Sequence, residues 1–170
     1  MSARLSKGFT LVELMITLVV IGVVAAIAFP SFQSLIRSSR VATAHNELIG
    51  MVNLARNDAI RNNQGGVVCG SSNGTTCNGQ WGAGMMVFSD SDGDGVFSSS
   101  ETVLRYTAFN SALTVTGPPA PIAFDARGRR RAGADQTVKL RPTNCGNQPL
   151  QSTLTINASG QVTAVKGACQ

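Results

Sequence analysis

The chain has 170 residues, a formal net charge of +5 and four cysteines. With an N-terminal leader and a long helix set aside, about 110 residues remain, enough for one small globular domain and too few for two large ones. The modest net charge excludes a chain that is basic throughout and hides a local concentration of arginine.

Residues 1–8 are basic, with Arg4 and Lys7 and no acid. From Leu14 to Phe29 the only polar side chain is Thr17. Counted from Phe9, the apolar stretch runs about 20 residues, the length a helix needs to cross a bilayer. The positive flank predicts a cytoplasmic N-terminal end and an exported remainder. A secretory signal peptide carries its small-residue cleavage site after the apolar region. Here Gly8 stands before it, so cleavage there removes a leader, residues 1–8, and keeps the helix. Glu13 is the one acid in the apolar stretch, where a carboxylate is expensive without a partner. A cut between Gly8 and Phe9 frees an α-amine one helical turn away, so Glu13 of one subunit could neutralise the Phe9 amine of its neighbour. Gly22, Ala25, Ala26 and Ala28 permit close helix approach. Pro30 is expected to kink or loosen the helix.

Lys7-Gly8-Phe9-Thr10-Leu11-Val12-Glu13-Leu14 resembles the class III signal of type IV pilins and type II secretion pseudopilins. The resemblance implies a prepilin peptidase cutting between Gly8 and Phe9, N-methylation of Phe9, and assembly with major and minor pilins through the helix and Glu13. It also implies a single-pass inner-membrane protein with a periplasmic head before assembly, and a surface pilus afterwards.

After Pro30 the apolar residues Val41, Ala44, Leu48, Met51, Val52, Ala55 and Ala59 recur at spacings of three and four or their sums. This predicts an amphipathic continuation whose stripe packs on the following domain. The helix should end near Asn62-Asn63, with Gly65-Gly66 as its stop signal. His45 is read as a surface or rim residue of this segment. From Gly66 onward, short β-type runs at 67–69, 85–89, 102–107, 113–116, 122–124, 137–141, 153–156 and 162–165 are separated by turn residues. Gly117-Pro118-Pro119-Ala120-Pro121 reads as a stiff turn. The expected class is α+β: leader 1–8, helix 9–62 (transmembrane about 9–30, amphipathic about 31–62), and a β-rich head, 63–170, of two small sheets.

Cys69, Cys77, Cys145 and Cys169 all fall on the exported side, which favours disulfides. Of three pairings, Cys69–Cys77 with Cys145–Cys169 is preferred, closing a short loop and a longer C-terminal one. Zinc is disfavoured, because no CxxC pair occurs and the only histidine is His45.

Trp81-Gly82-Ala83-Gly84, Val87-Phe88-Ser89-Asp90, Gly93-Asp94-Gly95 and Glu101-Thr102-Val103-Leu104-Arg105 look like the GspH/FimT/FimU branch of minor pilins and pseudopilins. That resemblance implies a long N-terminal helix on a head of two β-sheets.

Two stretches could carry chemistry. Asp90 to Glu101 fits a calcium-loop pattern, with Asp90, Asp92 and Asp94 at positions one, three and five, glycine at six and Glu101 at twelve. The flanking segments read as strands rather than helices, so a solvated acidic turn stands beside Ca2+ as a reading. Arg127-Gly128-Arg129-Arg130-Arg131 concentrates guanidinium forks that suit phosphate oxygens. Lys139 and Arg141, on the next predicted strand, could extend the patch. Such a cluster grips a nucleic-acid backbone without reading sequence; a solvated turn, an anionic-lipid patch and an acidic pilin neighbour are the other readings. Gly128-Arg129-Arg130-Arg131 is similar to the Gly-Arg-x-Arg motif of the FimT subfamily, the DNA-binding minor pilins of natural transformation. That resemblance implies double-stranded DNA as a partner, with Arg129 and Arg131 as motif arginines and Arg127 and Arg130 beside them. A priming minor pilin and a type II secretion pseudopilin, both without DNA binding, are the alternatives. No Ser/His/Asp or Cys/His arrangement is visible, so the reading is not an enzyme.

Overall fold

Helix α1 spans Leu11–Asn62 in the computed structural model, which describes residues 8–146 and 148–169. Of the expected leader only Gly8 is among the described residues; Arg4 and Lys7 lie outside them. Thr10 caps the helix, its Oγ1 accepting the Glu13 amide at 3.2 Å. Glu13 stands three residues after that cap, at the positive end of the helix dipole. Pro30 forfeits one backbone hydrogen bond, and the backbone stays helical on both sides of it, as one long helix to Asn62 requires.

The helix stops at Asn63, whose φ of 53° is left-handed, a conformation Asn tolerates better than most residues. Gly65 and Gly66, expected as the stop signal, instead open the first strand. A Cβ on Gly66 would sit 2.1 Å from the Ala55 carbonyl oxygen, so glycine here lets a strand pass directly over the helix.

The described residues divide into two compact units after Ile36. The first exposes its apolar side chains along the helix. The second holds the rest of α1 and eight strands: β1 Gly65–Gly70, β2 Gly84–Asp90, β3 Thr102–Ala108, β4 Leu113–Thr116, β5 Ile122–Phe124, β6 Gln136–Pro142, β7 Gln151–Ile156 and β8 Val162–Gly167. They form two four-stranded antiparallel sheets, ordered β3-β2-β1-β5 and β4-β6-β7-β8. All eight expected runs are strands, each close to its expected limits.

The stripe from Val41 to Ala59 is buried against both sheets, with Val68, Met85, Val87, Ile122 and Phe124 from the first and Val138, Leu140, Leu154 and Ile156 from the second. β1 is buried on both faces: Val68 faces this core, while Val67 and Cys69 join Met86 and Phe88 in a second cluster. Trp81 is buried against Gly117 and donates its indole N–H to Pro118 O at 3.0 Å, so the stiff Gly-Pro turn closes the core. Disulfides join Cys69 to Cys77 and Cys145 to Cys169.

Candidate nucleic-acid interface

The arginine turn follows β5 directly. Asp125 organises it: its Oδ1 accepts the amides of Arg127 and Arg129, each at 2.9 Å, and its backbone carbonyl accepts the Gly128 amide at 2.8 Å. Burial by itself would raise the Asp125 pKa, but those two amides and the Arg129 guanidinium outweigh it and hold the carboxyl below its ordinary value. Gly128 has φ +70°, and a Cβ there would meet Ile60 Cδ1 at 2.6 Å. The turn is therefore wedged against the last turns of α1, where Arg56 Nε donates to Gly128 O at 2.9 Å. On the other side, Gly160 in the β7–β8 turn approaches so closely that a Cβ would lie 2.5 Å from Gly128 O.

Of the four arginines of this turn, Arg130 alone is buried. Arg127 and Arg129 are exposed; Arg129 makes only a long ion pair with Asp125, 3.4 Å, of a kind worth little in water. Arg130 is 5% exposed. Its Nη1 donates to Ile156 O at 2.5 Å, and its Nη2 to the carbonyls of Ala132 and Ala134. Burial lowers its pKa, with Asp135 opposing. Arg131 Nη1 donates to Asp90 Oδ2 and to Gly93 O, both at 2.6 Å. Arg130 therefore does not splay outward, whereas Arg131 is exposed but engaged by Asp90 and Gly93. Backbone pairing accompanies this placement: Arg130 bridges Phe124 and its amide reaches Ala158 O, while its guanidinium turns to the Ile156 carbonyl.

Lys139 and Arg141 are not on the turn itself. They lie on β6 in the second sheet, opposite Thr116 and Thr114, and Arg141 lines a cavity beside the Cys145–Cys169 loop.

The acidic loop is the counterpart of Arg131. Asp90, fully buried, accepts the Gly93 amide on Oδ1 and the Gly95 amide on Oδ2. Asp90, Asp92 and Asp94 offer oxygens within 4.8 Å of one another. Glu101, expected at the twelfth ligand position, turns its two oxygens onto the amides of Ser91 and Ser98. A dication on this loop would have to displace the Arg131 guanidinium from Asp90 and lift Glu101 off those amides. The residues fit a loop closed by a guanidinium better than one closed by Ca2+.

His45 is more engaged than a rim residue. Its Nδ1 lies 2.8 Å from the Ser152 hydroxyl, 107 residues away in sequence. Burial first, and Lys166 second, lower its pKa. Among the described hydrogen bonds no carboxylate completes this pair, and a neighbouring lysine disfavours the imidazolium that a general base must become. The sequence reading missed this contact, and also Arg56, because both depend on which strand the helix meets.

Residues 44–160 match the family described as type II transport protein GspH, and residues 3–29 match the prokaryotic N-terminal methylation motif. The chain is 27% identical over 157 residues to a type IV major fimbrial protein FimA of Dichelobacter nodosus, covering 83% of this chain and 95% of that one. It is 46% identical over 46 residues to the fimbrial protein EcpC of Eikenella corrodens, covering 27% of this chain and 30% of that one. In fold it is similar to the type IV minor pilin FimU of Pseudomonas aeruginosa, with TM-score 0.57, 19% identity, and 78% and 94% of the two chains covered. It is also similar to the minor pseudopilin EpsH of the Vibrio cholerae type 2 secretion system, with TM-score 0.52, 14% identity, and 75% and 97% covered.

Proposed function

We propose, on the premise that this chain belongs to the GspH family, that it is a minor pilin presenting Arg127 and Arg129 to the phosphates of duplex DNA. The premise gives the mounting: a minor type IV pilin or pseudopilin is anchored in the inner membrane by its apolar helix and then assembles into a surface filament. Cleavage between Gly8 and Phe9, methylation of Phe9, and pairing of Glu13 with a neighbour's amine are the steps we infer for that mounting. The match of residues 3–29 to the methylation motif supports them.

The observation that carries the DNA reading is the braced turn with two exposed arginines, of which only Arg129 has an ion pair, a long one to Asp125. Asp125, Gly128 and Arg56 fix its backbone, so Arg127 and Arg129 reach solvent from a preset base. Arginine binds phosphate through charge-assisted, bidentate hydrogen bonds, and released counterions supply the driving force. No aromatic residue stands in the turn to stack bases, so contact is with backbone and is blind to sequence. Arg130 and Arg131 brace the turn rather than grip. Retraction of the filament by other proteins would draw the bound DNA inward for uptake in natural transformation.

A second reading, a filament-priming pilin or a secretion pseudopilin without DNA affinity, is favoured by the internal use of Arg130 and Arg131. Titration of duplex DNA with the full chain in detergent micelles, across a salt series, separates the two. Capture predicts affinity that falls steeply with salt, and a log–log slope reduced by about 2 when Arg127 and Arg129 are both changed to Ala. No binding at low salt assigns the second reading.

A further inference from the structure

The His45–Ser152 pair borders a groove of about 290 Å³ between α1 and the second sheet. Strand register builds its polar side. Ser152 on β7 stands directly opposite Lys166 on β8, so the two side chains share one face of the sheet. The helix brings His45 to that face, its Nδ1 2.8 Å from the buried Ser152 hydroxyl. Val41 from α1, with Pro149 and Leu150 from the segment before β7, gives the groove an apolar side.

The groove carries charge of one sign. Lys166 is exposed and takes part in none of the described ion pairs. No acidic residue lines the groove. Glu47, the acid on this part of the helix, is held elsewhere by Arg105 and Thr107. Arg37, nearer the start of the head, adds to the same sign. It packs on the Cys145–Cys169 loop, where a Cβ on Gly146 would lie 2.7 Å from its Nη2, and its Nε is buried with no described hydrogen-bond partner.

These features select a ligand. Among the described hydrogen bonds, His45 Nε2 makes none. When the Ser152 hydroxyl donates to Nδ1, the neutral imidazole carries its proton on Nε2 and offers it outward. An ammonium and an N–H donor suit a carboxylate, which accepts on both oxygens. Val41, Pro149 and Leu150 suit an alkyl chain. The volume is at the lower end of small-molecule sites, which suits a short one.

We propose that this groove binds a short aliphatic carboxylic acid, its carboxylate between Lys166 and His45 and its chain against Val41, Pro149 and Leu150. The ligand supplies the carboxylate that the His45–Ser152 pair lacks. The site is independent of DNA binding at Arg127 and Arg129.

The test uses the ring resonances of His45, the single histidine of the chain, in the full chain in nonionic detergent micelles. Butyrate is titrated above neutral pH. Butanol and butylamine keep the chain and change the head; acetate keeps the head and removes most of the chain. Butyrate should give a saturable shift of the ring signals, several-fold tighter than acetate, whereas butanol and butylamine should give none. Lys166→Gln, at an exposed edge position, should weaken butyrate about tenfold, as loss of a charged hydrogen-bond partner does. Arg141→Gln, in the neighbouring cavity, should leave binding unchanged. The titratable groups lining the groove are His45 from α1 and Lys166 from β8; the segment before β7 and Ser152 contribute none. Burial and Lys166 lower the His45 pKa, and a bound carboxylate opposes Lys166. Saturation with butyrate should therefore move the midpoint of the ring titration upward. Butanol as effective as butyrate, acetate as tight as butyrate, an unmoved midpoint at saturation, or equal weakening by Arg141→Gln each overturns the proposal. The head-group series on the unsubstituted chain decides it even where a variant fails to fold.

Discussion

Arg130 is a charged side chain inside a head of only two small sheets, held by three carbonyls contributed by Ile156, Ala132 and Ala134. Removing a buried donor leaves its carbonyl acceptors unsatisfied, at a cost of about 1–3 kcal/mol. Arg130→Met should therefore lower the stability of the full chain by that amount, read as a fall in melting temperature. Arg127→Ala, three residues away and exposed, should change it by no more than about 0.5 kcal/mol. If the two substitutions were equally costly, the inward placement of Arg130 would be wrong. His45 gives a second residue-scale expectation. Its pKa is lowered from the ordinary 6.5, so the folded state favours neutral imidazole and the unfolded chain takes up the proton first. Stability is complete above the ordinary value and declines as pH falls through it towards the lowered one. A melting curve series from pH 8 to 5 should show that decline, and His45→Asn should flatten it. The Asp125 carboxyl, held below its ordinary value, contributes stability that is lost only at lower pH, below the ordinary carboxylate range.

At the scale of elements, the crossing of β1 over α1 decides where everything else goes. Gly66 permits that crossing, with the Ala55 carbonyl where a side chain would be. Gly66→Ala must push strand and helix apart, and the overpacking should cost about 1–3 kcal/mol. Leu48, fully buried on the helix stripe, gives the opposite test: Leu48→Ala should cost about 2–5 kcal/mol through the cavity it leaves. Thermal unfolding of the full chain in detergent reads both. The periodicity of the stripe and the alternation of the strands were legible beforehand because burial leaves a period in the sequence. The role of Gly66 was not legible, since a glycine pair after a helix also fits an ordinary helix stop.

For the whole molecule, two disulfides close the extremities of the head, one beneath β1 and one between the loop after β6 and the chain beyond β8. They span 8 and 24 residues, and each should contribute roughly 2–4 kcal/mol, chiefly by restricting the unfolded chain. Replacing each pair by serine in turn should lower the melting temperature, and reduction of the unsubstituted chain should lower it further than either replacement alone. Loss of Cys145–Cys169 should also loosen the loop that packs on Arg37, whereas loss of Cys69–Cys77 should leave that loop untouched.

Local chemistry determined much of this protein from the sequence alone. A 20-residue apolar run with a basic flank and an early glycine can be read without coordinates, because bilayer thickness and helix rise fix its length. Eight strands and their turns were readable for a similar reason, since each is specified by its own residues. The arginine turn was visible as charge, but which of its arginines remain available was not. That is decided by the bridge of Arg130 to Phe124, by the Ile156 carbonyl, 26 residues away, and by Asp90, 41 residues away. Each guanidinium goes wherever unsatisfied oxygens are brought to it, and only the packing of two sheets on one helix sets where those oxygens lie.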